Sequence, residues 1–280
     1  MITALDHIVL VCPDIETAIA DYSLVMGKAP DWRAEADGTA TALFAVENAA
    51  IELIAPHGQG GAAEKLRQMT AGGARLTSLA YRTEDIEACH HQFRRRGLSP
   101  GDITPGESTH SRTGAVRRWR RFRVPDDKVA GIKSFVLECD ESIPNKNAYM
   151  PGQPRALDHV VVTTPNPERA VATYCARFGL RFALDRTAEQ WQTRFLFFRL
   201  GGLSLEVVHR LGQAHDPAGD DGFGGLTWTV DDIEAAHARL SAAGCAVSEV
   251  RKGRKPGTHV FTLRDHTQGV PTLFIAHTPR

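Results

Sequence analysis

The sequence predicts an α+β fold of four βαβββ modules, grouped as two halves. Three observations carry this. Residues 5–22 read LDHIVLVCPDIETAIADY and residues 157–174 read LDHVVVTTPNPERAVATY, a repeat at a spacing of 152 residues. Two weaker copies, LTSLAYRTEDIEACHHQF at 76–93 and GLTWTVDDIEAAHARL at 225–240, lie between and after them. Each copy passes from strand-like alternation to helical spacing at an Asp or Asn, and strand-like runs follow.

The elements follow in order from backbone chemistry. Asp14, Asp85, Asn166 and Asp232 stand at helix starts, where a short polar side chain accepts from free backbone N–H groups. Gly27, Gly97, Gly179 and Gly244 stand at helix ends, which favour the left-handed conformation. Pro167 occupies a first helical position, where its missing N–H costs nothing. Ile15, Ala18, Ile19 and Tyr22, and later Val171, Tyr174 and Phe178, keep helical spacing. Strands are expected at Trp32–Ala36, Ala40–Val46 and Ala50–Ala55 in the first module. Their counterparts in the third are Arg181–Leu184, Thr193–Leu200 and Leu203–Val208. Asp37-Gly38 and Gly201-Gly202 mark turns. The first domain is drawn at 1–140 (modules 1–74 and 75–140) and the second at 156–280 (modules 156–222 and 223–280). Between them 141–155 is polar, carries Pro144, Pro151 and Pro154, and reads as a linker.

Bulk properties narrow the function. Basic and acidic residues balance at 33 each, so neither a nucleic-acid nor a membrane partner is expected. There is no apolar run long enough to span a bilayer and no signal-peptide pattern at the start. The five cysteines form no C-x-x-C motif and are odd in number, which suits reduced thiols in a cytoplasm. No P-loop, dinucleotide fingerprint or nucleophile elbow is present.

The recurring pattern Leu-Asp-His, apolar run, Asp/Asn-x-x-x-Ala-x-x-x-Tyr, with Glu in the last strand, resembles the vicinal oxygen chelate superfamily. That group holds glyoxalase I, methylmalonyl-CoA epimerase, extradiol dioxygenases and the bleomycin- and fosfomycin-resistance proteins. The resemblance implies two glyoxalase-like domains whose sheets curl around cavities. It also implies a divalent metal (Zn, Fe, Mn or Ni) held by first-strand and last-strand residues. Residue by residue it assigns His7 and Glu52 as ligands in the first module, and His159 and Glu206 in the third. The second module has Ser78 in place of His, with Glu138 in its last strand. The fourth has Gly225 and no carboxylate at the expected place. If neighbouring modules pair, the first half offers His7, Glu52 and Glu138, and the second only His159 and Glu206. If the first module pairs with the third, His7, Glu52, His159 and Glu206 complete a shared set.

Strand alternation gives the same residues a physical reading. His7, Val9 and Val11 share one face of their strand, opposite the helix-packing Ile8 and Leu10. Glu52 lies between Ile51 and Leu53, and Glu206 between Leu205 and Val207, so both point away from the apolar layer. A carboxylate there is costly unless paired or metal-bound. The alternative is structural, an Asp-His pair at each strand start with the glutamates neutralised by arginine. In 114–124 (GAVRRWRRFRV), Arg117, Trp119, Arg121 and Arg123 share a face. With Arg254 and His259, Arg117, Arg121 and Arg123 are the candidate substrate-binding groups, because arginine forks suit carboxylate or phosphate. The competing reading is edge-strand charge.

The function expected from this is metal-dependent lyase or isomerase chemistry on a small oxygenated, anionic substrate, with Glu52 or Glu206 as ligand or general base. The alternatives are a metal-free binding protein, an extradiol-type dioxygenase, or one active half beside a degenerate one. Exposed edges or helix faces leave room for a homodimer.

Overall fold

The helix-boundary signals act as the sequence requires. In a computed structural model describing residues 1–36, 38–139, 149–214 and 216–277, all four cap side chains accept a backbone N–H. They open α1 (Ile15–Met26), α3 (Ile86–Arg95), α4 (Pro167–Val171) and α5 (Ile233–Ala242). Gly27, Gly97, Gly179 and Gly244 all take positive φ at the far ends. After α4 the helix widens into a π turn, Ala172–Arg177, and both Tyr174 and Phe178 are buried. A further helix, α2 (Gly61–Thr70), is absent from the sequence reading, although Ala63, Leu66 and Thr70 carry its spacing.

The first half forms β1 (Ile2–Val11), β2 (Trp32–Ala36), β3 (Thr39–Ala45), β4 (Ala50–Pro56), β5 (Arg75–Thr83), β6 (Thr104–Thr109), β7 (Val116–Val124) and β8 (Lys133–Cys139). They make one sheet in the order β2-β3-β4-β1-β5-β8-β7-β6. The second half forms β9 (Ala156–Thr163), β10 (Arg181–Ala188), β11 (Thr193–Leu200), β12 (Leu203–Arg210), β13 (Gly222–Thr229), β14 (Arg251–Lys252), β15 (Thr258–Leu263) and β16 (Thr272–His277). Their order, β10-β11-β12-β9-β13-β16-β15-β14, repeats the first. Module one thus pairs with module two through antiparallel β1 and β5, and three with four through β9 and β13. The pairing of module one with module three is corrected: their histidines lie in different sheets. Residues 104–109 form the edge strand β6. Residue 37 and residues 140–148, with most of the expected linker, lie outside the described residues.

One apolar core joins the halves back to back. Ile8, Leu10, Phe44 and Tyr81 from one sheet share it with Val160, Phe198, Trp228 and Phe274 from the other. Phe178 meets Tyr81 and Phe93 at ring distances of 5.3 Å. Burying each such ring contributes roughly 1.5–3 kcal/mol before entropy is counted. Across the same seam the Arg239 guanidinium donates to the carbonyls of Leu24 (2.5 Å) and Val25 (2.9 Å) at the end of α1. The opposite face of each sheet is thereby left free to curl into a cup. In the first half the two sheet edges touch: Trp32 Nε1 donates to Ser108 Oγ at 2.9 Å and Ser111 N to the Arg33 carbonyl at 2.8 Å.

Candidate active site

Register places the site residues. His7 pairs with Ala80 on β5, and Ser78 pairs with Val9. Val9 in turn pairs with Glu52 on β4, and Ser78 with Lys133 on β8. Glu52 continues the row through Leu43 to Trp32. One row therefore reads Trp32, Leu43, Glu52, Val9, Ser78, Lys133. The neighbouring row carries His7, Ala80, Phe135 and Arg123. The two-fold relation of the modules makes Ser78 the counterpart of His7 and Phe135 the counterpart of Glu52.

At the base of the first cup His7 is held at both ring nitrogens. Nδ1 lies 2.7 Å from Asp6 Oδ1 and Nε2 lies 3.3 Å from Glu52 Oε2. Asp6 is buried and also accepts from Arg82 at 2.6 Å and 3.1 Å. Burial opposes charge on His7, but the carboxylates of Glu52 and Asp6 outweigh it and push the imidazole up to about 9. Burial likewise opposes ionisation of Asp6, and the His7 and Arg82 contacts overcome it to hold the carboxyl well below its usual range.

A cavity of about 240 Å³ opens over this pair. Arg117, Trp119 and Arg121 line it, as alternation predicts, with Lys133, Phe135 and Met69 of α2. Lys133 escaped the sequence reading because a single lysine at a strand start carries no local signal. Arg117 stands 5.5 Å from the Trp32 ring centre and Arg121 stands 5.6 Å from that of Phe135. Arg123 is drawn off to Asp126 (2.5 and 2.6 Å) and does not line the cavity. Glu138 is the other correction. It lies one residue out of phase with Leu137 and Cys139, on the outer face, where Arg120 pairs with it and with Glu87 of α3. It is not brought to His7.

The second cup repeats the pair with different surroundings. His159 Nδ1 is 2.7 Å from Asp158 and Nε2 is 3.1 Å from Glu206. Nε2 also lies 2.9 Å from the Thr227 hydroxyl, and Asp158 binds His277 at 2.6 Å. Burial opposes ionisation of Asp158, but His159 and His277 lower its carboxyl to about 2. Burial raises Glu206, with His159 and Arg254 pulling the other way. Arg254 stands over the Trp191 ring at 4.2 Å. His259 is paired in register with Ala276 on the face that carries Phe261 and Phe274, so it points into the helix side and away from the cup.

The donors suit a divalent ion in type, an imidazole Nε2 beside a carboxylate with Nδ1 braced by a second carboxylate. In number they are two per half, since the facing positions hold Ser78 and Phe135 in one cup. In the other they hold Gly225 and, by register, Leu273. An ion at His7 and Glu52 would take its remaining donors from substrate or water. The one closer grouping of three donor side chains among the described residues is Cys245, Asp265 and His266, outside both cups.

Comparison with known proteins agrees with this architecture. Residues 5–154 match the family described as glyoxalase-like domain, and residues 156–271 match the Glyoxalase/Bleomycin resistance protein/Dioxygenase superfamily. An ethylmalonyl-CoA/methylmalonyl-CoA epimerase of Cereibacter sphaeroides is 34% identical over 99 residues, covering 32% of this chain and 72% of the epimerase. A variant of 4-hydroxymandelate synthase from Streptomyces coelicolor superposes with a TM-score of 0.69 at 13% identity, over 100% of this chain and 95% of that one. An Mn(II)-bound glyoxalase from Novosphingobium aromaticivorans gives 0.64 at 14% identity, over 99% and 83%. No helix is long and apolar enough to cross a membrane among the described residues, and the five cysteines form no disulfide. The chain belongs to the Glyoxalase/Bleomycin resistance protein/Dioxygenase superfamily, with a glyoxalase-type match in each half.

Proposed function

We propose that the first cup is the active site of an isomerase or lyase that moves a proton on a small, oxygenated, anionic substrate. The observation that carries this is the open His7–Glu52 pair beneath a cavity lined by Arg117, Arg121 and Lys133. Glu52 lines the cavity with Oε2 beside His7 and serves as the proton acceptor. Asp6 fixes the His7 ring, so that Nε2 points at the reacting centre. A divalent ion held by His7 Nε2 and Glu52 Oε2 would act as a Lewis acid toward substrate oxygens. The cations hold the anionic group and so orient the carbon that loses its proton toward Glu52. The apolar walls of Val9, Leu43 and Ile54 keep water from that carbon.

The second cup supports a scaffold role. Thr227 and Glu206 both engage His159 Nε2, where Ala80 leaves His7 Nε2 to Glu52 alone. The extradiol alternative loses weight because Gly225 and Leu273 replace the ligands it needs. A metal-free binding protein is the remaining alternative, favoured by the two-donor sets.

Solvent-deuterium exchange into small enolisable carboxylates and phosphate esters, followed by NMR, tests the proposal. Exchange should be lost in His7→Ala and Glu52→Gln and kept in His159→Ala. Tight binding without exchange would replace the enzyme with a binding protein.

A further inference from the structure

We infer that the first cup selects a compact dianion, a phosphate monoester or a dicarboxylate, through Arg117, Arg121 and Lys133. This rests on reading that cup as the substrate site and deepens it. The strand β7 sorts its arginines into two sets. Arg118, Arg120 and Arg123 each have a carboxylate partner, in Glu107, Glu138 with Glu87, and Asp126. Arg117 and Arg121 have none among the described residues, nor has Lys133, and all three line the cavity.

The local charges do not cancel. Asp6 is committed to His7 and Arg82, and Glu52 to His7. Among the described residues three cations remain uncompensated around a cavity of about 240 Å³. Arg117 Nε is buried without an acceptor, a donor waiting for one.

The three charged groups line one cavity. Arg117 stacks over Trp32, which shares a register row with Glu52 and Lys133. Arg121 reaches back over Phe135, in the row of His7. Both guanidinium planes are braced by rings, which limits what they lose on binding. A monoanion would leave two of the cations uncompensated, and the cavity is too small for an extended polyanion.

The second half is an internal control. Register places Val260 where the first half has Arg121, and Pro271 where it has Lys133. The cationic set belongs to the first cup, so it is not a requirement of the fold.

Calorimetric titration with inorganic phosphate, malonate and acetate, at ionic strength matched with sodium chloride, tests the inference. Phosphate or malonate should bind at one site, at least tenfold tighter than acetate. Arg121→Val, Lys133→Met and Arg117→Gln should each weaken that binding at least fivefold, and Arg118→Ala should not. The tighter of phosphate and malonate identifies the headgroup. Circular dichroism melts check that each variant is folded. Anion binding is read without turnover, so a failure of the catalytic reading leaves this result standing. Dianions that bind no better than acetate, or affinities unchanged in all three cavity variants, would overturn the inference.

Discussion

The Thr227 hydroxyl lies 2.9 Å from His159 Nε2, and the residue that register places beside His7 in the same way is Ala80. A single hydroxyl thus separates an imidazole whose Nε2 has two partners from one whose Nε2 has Glu52 alone. Ala80→Thr should close the first cup in the image of the second. A hydrogen bond of about 1 kcal/mol competing for Nε2 slows exchange roughly fivefold. Thr227→Ala should leave the rate unchanged. Equal losses in both variants would argue against the division of roles.

Trp119 lines the cavity and lies flat on Gly106, its partner across β6 and β7. A Cβ at Gly106 would stand 2.3 Å from the indole nitrogen, so the ring must move if one is added. Gly106→Ala should shift tryptophan emission and weaken phosphate or malonate binding several-fold, with little change in melting temperature, because the strand edge is exposed. Unaltered emission would show that the indole is not seated as described.

Arg239 holds the two halves at the end of α1 through bonds to the Leu24 and Val25 carbonyls and, at 3.2 Å, to that of Gly152. Burial lowers its affinity for a proton, yet the carbonyls and the helix end favour the cation. Arg239→Ala should cost about 2–3 kcal/mol in urea unfolding, since it strands helix-terminal carbonyls that a charged donor satisfied. A loss below about 0.5 kcal/mol would mean that water replaces the guanidinium freely.

His7 links stability to pH. Its imidazole titrates at about 9 in the fold against 6.5 when free. The sign is that of a raised base: the contribution is complete below pH 6.5 and lost as pH rises through about 9. The difference amounts to something on the order of 3 kcal/mol. In metal-free protein, urea unfolding of wild type and His7→Gln should therefore converge between neutral pH and pH 10. Parallel curves would contradict the ion-pair assignment.

Much of the fold was legible because its signals are local. Asp14 and Gly27 bound a helix by their own chemistry, and the repeat at His7 and His159 set the module count. The faces of His7, Glu52 and Arg117 followed from alternation. Glu138 failed for a physical reason: its strand phase is set by pairing with β5 and β7, and one residue of phase moved it to the outer face with Arg120. His259 failed in the same way. Lys133, Thr227 and Ala80 gain meaning only from cross-strand register, which no local pattern reports. Arg123 has the expected phase, but Asp126, three residues on, captures it.

Mn²⁺ binding measured by electron paramagnetic resonance, with and without oxalate, tests the central claim that the first cup is the working site. Two protein donors among uncompensated cations should bind the ion weakly alone. Oxalate should strengthen it at least tenfold by supplying donors and charge, and Mn²⁺ should strengthen oxalate binding by the same factor. The account predicts that His7→Ala abolishes the oxalate-dependent site and His159→Ala retains it. Retention in His7→Ala with loss in His159→Ala would contradict it.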